Sequence, residues 1–145
     1  MTDFKLTPNF YFSELCRTSA SKYQQKNLEE AQQNMGRMYL LAGFAERVRE
    51  IVGQPLIITS GYRCKELNSA VGGSATSQHL LCEAIDIVCN RLSVKSLFDR
   101  IKKSDLKYEQ MIIETNAAGS TWLHLGIGSK KQRLEYHKGK YTLLD

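Results

Sequence analysis

The strongest constraint on this chain is a helical repeat in its first half. Apolar residues recur at steps of three or four: Leu28, Ala31, Met35, Met38, Ala42, Ala45, Val48 and Val52. That period lines one face of an α-helix, which must be laid against other elements. Asn27 stands where an N-cap belongs, and Glu30 follows three residues later as in a capping box. Gly53 suits the stop, and Pro55 prevents resumption. The spacing predicts one long helix over 28–52, with its methionines in the core.

Strand signals dominate afterwards. Leu56-Ile57-Ile58-Thr59 is short, apolar and rich in β-branched residues, so it reads as a buried strand ended by Ser60-Gly61. Further strands are expected over 84–89, 110–114 and 122–127. The residues between the last two, with Gly119, suit a hairpin, and Leu134 to Tyr136 and Tyr141 to Leu144 suit another around Gly139. Ser93 can cap a helix with Val94, Leu97, Phe98 and Ile101 on one face. One or two helical turns are expected over 66–71, stopped by Gly72-Gly73. Phe10, Tyr11, Phe12 and Leu15 mark a short helical turn packed on the core. Helices mostly first and strands mostly later imply an α+β fold, a small and largely antiparallel sheet flanked by helices. With 145 residues and no repeat or linker tract, a single domain over 1–145 is the expectation.

Composition removes several classes. Hydrophobic residues at 42% and charged residues at 24% exclude collagen-like, disordered and membrane-spanning chains. Twenty basic against fifteen acidic residues give a net charge of +5, which suits a polyanion without choosing one. The start, Met-Thr-Asp-Phe-Lys-Leu-Thr-Pro, has no charged and apolar leader, so synthesis in the cytoplasm is expected. Cys16, Cys64, Cys82 and Cys89 are spread without a C-x-x-C pair. Free thiols are expected, with a disulfide as the alternative.

Two imidazoles and one carboxylate draw attention in the middle and late chain: His79, Asp86 and His124. Three such ligands can hold a catalytic zinc and leave a fourth position for water. By spacing alone, surface or hydrogen-bonded structural roles remain open for each. The surrounding residues say more. Ser60-Gly61-Tyr62-Arg63 is followed by Leu67-Asn68, Val71-Gly72-Gly73-Ser74, Ser77-Gln78-His79, Ala84, Asp86 and finally Trp122-Leu123-His124-Leu125. This ordered series, over about 56–127, resembles the M15 metallopeptidases, the zinc D-Ala-D-Ala carboxypeptidases and endopeptidases, in their compact phage and prophage branch.

The resemblance implies a fold like the zinc DD-peptidases and the hedgehog signalling domain, with His79, Asp86 and His124 holding Zn2+. It places Arg63 at the cleft, to bind a substrate carboxylate or polarise the scissile carbonyl; a structural salt bridge is the alternative. Ser77 and Gln78 become candidates for substrate binding or for supporting the metal ligands, with loop support open for Ser77. Many family members carry Glu three residues before the last metal histidine, where this chain has Thr121. Glu114 is then the preferred general base, since a hairpin with the His124 strand can bring it to the water; a solvent-facing strand-end glutamate is the alternative. His137 and Glu109 are less favoured. Cys82 stands where the family usually has glycine. It is expected as a buried thiol, with an approach to the metal as the alternative.

The leading expectation is a zinc peptidase acting on peptidoglycan peptides, as a monomer without nucleic acid or membrane span, at the bacterial wall after release or delivery. A non-catalytic wall-binding or virion-associated module on the same fold is the second reading. A nucleic-acid binder is the third, though Lys102-Lys103 and Lys130-Lys131 read as solvated faces.

Overall fold

The computed structural model describes residues 3–145; Met1 and Thr2, at the start of the leader reading, lie outside the described residues. Four α-helices and two sheets are found among the described residues. The smaller sheet is an antiparallel ribbon of β1 (Lys5–Thr7) and β2 (Phe10–Tyr11). The larger holds β3 (Ile57–Ser60), β4 (Ala84–Val88), β5 (Gln110–Thr115), β6 (Thr121–Gly126), β7 (Gln132–His137) and β8 (Lys140–Leu143), in the order β3-β4-β6-β5-β7-β8. The chain groups into two compact units, one comprising the residues up to Glu46 with Ile58–Ile85, the other Arg47–Ile57 with Asp86–Asp145. No helix among the described residues is long and apolar enough to cross a membrane.

The expected long helix is two helices, α1 (Ser21–Gln32) and α2 (Met35–Val52). The break is at Asn34, whose Nδ2 donates to the Glu30 carbonyl at 2.9 Å while its own N–H goes to Ala31 at 2.9 Å. An Asn side chain that captures a nearby carbonyl competes with the helix ladder. The apolar face survives the break: Ala31, Met38, Ala42, Ala45, Val48 and Val52 are fully buried, whereas Leu28 and Met35 are half-buried. Asn27 is not an N-cap. It lies inside α1, which starts six residues earlier through a polar stretch that carries no apolar period. Gly53 ends α2 as expected, with φ +74° and its N–H on the Arg49 carbonyl at 2.8 Å.

In the first unit, Phe10, Phe12 and Leu15 are buried around a 3-10 turn at Phe12–Leu15. The short helix α3 (Lys65–Ala70) and a second 3-10 turn, Gln78–Leu81, complete it. In the second unit, α4 (Val94–Lys102) starts at Ser93, whose hydroxyl accepts from Ser96 N–H at 3.1 Å. Leu97, Phe98 and Ile101 on this helix are fully buried, each contributing about 1.5–3 kcal/mol.

The larger sheet contains a parallel seam within the largely antiparallel plan expected. β5 pairs antiparallel with β6, with Glu114 opposite Trp122 and Ile112 opposite His124. On its other side β5 pairs in parallel with β7, which in turn pairs antiparallel with β8. The short passage from β6 to β7 crosses the start of β5. Glu109 N–H donates to Gly126 at 2.8 Å, Gln132 N–H to Glu109 at 3.1 Å and Lys131 N–H to Tyr108 at 2.8 Å.

All four cysteines are free thiols, and Cys16, Cys64 and Cys82 are buried. Burial pushes the Cys16 thiol, with help from the charges of Asp3 and Cys82, up to about 12. Burial likewise pushes Cys82 up to about 12.

Candidate functional site

In the first unit the candidate residues gather where β3 ends. Gly61 leaves the strand with its backbone against Leu15: a Cβ there would lie 2.3 Å from the Leu15 carbonyl oxygen, so no side chain fits. This approach lets Tyr62 N–H donate to that carbonyl at 2.7 Å. The Gly61 carbonyl points at Nδ1 of His79, 2.6 Å away. A carbonyl only accepts, so Nδ1 carries the proton and Nε2 keeps the lone pair. Backbone carbonyls orient metal-binding histidines in this way. His79 is 2% exposed and sits in the second 3-10 turn.

Ser77 opens that turn, its hydroxyl accepting from His79 N–H at 3.2 Å. That bond ties the Ser77 side chain into the turn. Gln78 is half-buried, and its carbonyl accepts from Glu83 N–H at 3.0 Å. Arg63 is half-buried, with Nε on Ser60 Oγ and Nη1 on Asn68 Oδ1, each at 3.1 Å. Both of these partners are neutral oxygens. Asn68 is held by donating Nδ2 to the Ser74 carbonyl at 2.9 Å. Gly73 makes room for this pair, because a Cβ there would meet Asn68 Oδ1 at 2.1 Å and Arg63 Nη1 at 3.0 Å.

Cys82 adopts the left-handed backbone expected of glycine, φ 59° and ψ 38°, at the end of the same turn. Its Sγ donates to Met38 Sδ at 3.3 Å, and the thiol is buried and protonated. Cysteine here carries the strain that glycine would avoid. A second group of donors, Glu30, Cys64 and Glu66, also lies close together. It is occupied by its neighbours: Tyr62 O–H donates to Glu30 at 3.2 Å, and Lys26 pairs with Glu66 at 3.0 Å.

In the second unit the sheet brings three candidates together. Asp86 on β4 and His124 on β6 are 3% and 8% exposed. Asp86 Oδ1 is 3.0 Å from His124 Nδ1. Glu114 Oε1 is 4.0 Å from the same ring nitrogen. Glu114 is not a solvent-facing strand end, since its side chain is 18% exposed. Trp122 Nε1 donates to its Oε1 at 2.8 Å, directly across the antiparallel pair. Thr121 is turned to Thr115, with the hydroxyl oxygens 3.1 Å apart.

Neither disfavoured acid–base candidate joins this group among the described contacts. Glu109 reaches the turn before β7, with Oε1 3.4 Å from the N–H groups of Ser129 and Lys130. His137 is exposed and lies opposite Thr115 on the far seam. Sequence reasoning missed Trp122 as the anchor of Glu114, although their expected hairpin strands hold the pairing. It also missed Ser60, Gly61 and Asn68 as supports, and Asn27, for which no sequence signal exists.

The family model described as Peptidase M15 covers residues 8–125 of the chain. No curated protein matches it.

Proposed function

The chain belongs to the peptidase M15 family, and on that premise we propose a zinc-dependent peptidase that hydrolyses a peptide bond in the stem or crosslink peptides of bacterial peptidoglycan. Membership carries the broader point, peptidase activity. The observation that carries the finer reading is the buried Asp86–His124 contact with Glu114 beside it, anchored by Trp122.

His79, Asp86 and His124 would hold the zinc. The donor set fits: all three are buried, each offers one ligand atom, and the Gly61 carbonyl leaves His79 Nε2 with its lone pair. Zinc, when bound, lowers the pKa of a water to about 7 and polarises a carbonyl. Glu114 takes a proton on its carboxylate and delivers it to the leaving amine. Trp122 holds that carboxylate in place through Oε1. Arg63 offers a planar fork of donors and a fixed charge to a substrate carboxylate or a developing oxyanion. Gln78 and Ser77, at the start of the turn that carries His79, are the further candidates for holding the substrate.

The family match crosses both compact units, which supports reading 1–145 as one working domain. The net charge of +5 supports attraction to an anionic wall, reached after release or delivery from the cytoplasm. One chain supplies every residue named, so a monomer suffices.

The test combines metal analysis with mass spectrometry of digested muropeptides. The parent binds one zinc and cleaves; a chelator abolishes cleavage and added zinc restores it. His79→Ala loses the metal. Glu114→Gln keeps the metal and loses about 10²–10⁴-fold in turnover. Failure of the metal-loaded parent to cleave, with zinc content unchanged in His79→Ala, refutes the proposal. Thr121, tied to Thr115 where many relatives carry Glu, favours one second reading, a non-catalytic wall-binding module. Zinc binding without turnover selects it.

A further inference from the structure

Resting on that reading of Arg63, we infer that Asn27 of α1 is the positioning residue that sets it. Asn27 is fully buried and uses both ends of its carboxamide. Nδ2 donates to the carbonyls of Cys16 at 2.5 Å and Tyr62 at 3.0 Å. Oδ1 accepts from the Cys64 N–H at 2.6 Å. Tyr62 and Cys64 flank Arg63, so one side chain grips the backbone on both sides of the arginine.

The rest of the segment is also engaged by residues distant in sequence. The Gly61 carbonyl meets His79 Nδ1, Tyr62 N–H goes to the Leu15 carbonyl, and Arg63 N–H to the His79 carbonyl at 3.1 Å. Five backbone groups between Gly61 and Cys64 are thus held from elsewhere in the first unit, two of them by Asn27. Only a carboxamide can do this: it presents donors to two carbonyls and an acceptor to one N–H, without charge. Leaving any of these buried groups unmatched is unfavourable, so the segment has one low-energy arrangement. The direction in which Arg63 leaves the backbone follows from it, and the Ser60 and Asn68 contacts then set the guanidinium. Misplacement of such a group by about 1 Å can cost on the order of 10²-fold in rate.

The test uses Asn27→Ala and the isosteric Asn27→Asp, each alone and with Arg63→Ala. Asn27→Asp is expected to lower kcat/KM at least about tenfold at unchanged zinc content, with no more than about twofold further loss once Arg63 is alanine. The same fold-loss in both backgrounds, or zinc lost together with activity, overturns the inference. A readout independent of turnover is the Arg63 Nε–H resonance, held on Ser60 Oγ. Faster solvent exchange in the Asn27 variants supports the inference, and an unchanged resonance overturns it. A parent chain that cleaves nothing refutes only the peptidase reading, because the resonance still decides the role of Asn27. If both variants unfold, Asn27 supports the fold at large and the inference falls.

Discussion

Cys82 shows how a single residue can break a local rule and keep the geometry. Its left-handed backbone disfavours any side chain, yet the thiol is buried against Met38. Cys82→Ala keeps the strain and loses the thiol contact, whereas Cys82→Gly relieves the strain. Cys82→Gly is therefore expected to be about 1 kcal/mol more stable than Cys82→Ala in urea unfolding. Equal stabilities would mean that the turn relaxes. Trp122 bears on the proposed chemistry instead: its indole N–H orders the Glu114 carboxylate. Trp122→Phe removes that donor and keeps the bulk, so turnover should fall about tenfold while zinc content holds. At this scale the sequence exposed candidate ligands by residue type, such as His79, Asp86 and His124. It hid Asn27, because a buried amide with three backbone partners is spelled like any helix-cap asparagine.

Among elements, the link from β3 to α3 is the most constrained. Gly61 faces the Leu15 backbone, which cannot move aside as a flexible side chain would. Gly61→Ala should destabilise the chain by about 1–3 kcal/mol and shift the carbonyl that orients His79. Thermal unfolding and zinc affinity measure both effects together. The last two strands raise a different issue. The family match ends at residue 125, while β7 and β8 lie beyond it, β7 covering one side of β5 and β8 pairing with β7. Removing residues 127–145 would leave β5 as an edge strand carrying Met111 and Ile112, which are buried. Such an edge templates association, so the shortened chain should aggregate in light scattering, where the parent stays dispersed. Strand positions were legible from apolar runs and glycines. Which side of β5 receives β7 was not, because periodicity records the buried face of a strand and not its neighbour. The helix break at Asn34 was equally silent, since the apolar face continues through it.

For the molecule as a whole, the buried thiols tie stability to alkaline pH. Cys16 and Cys82 ionise near 9 when unfolded and are pushed up to about 12 when folded. Their contribution is therefore complete below pH 9 and is lost as pH rises toward 12. Stability should fall in that window by about 1.4 kcal/mol per pH unit for each thiol, and Cys82→Ala should make the fall shallower. Urea midpoints at pH 8, 9.5 and 10.5 test this. The same burial gives the protein a built-in clock for its own opening. Alkylating reagents attack thiolates that they can reach. Under native conditions a first adduct should form at half-buried Cys89, and later ones should appear only as fast as the fold opens around Cys16, Cys64 and Cys82. Counting adducts by mass over time would then report how often the first compact unit, which holds all three buried thiols, comes apart.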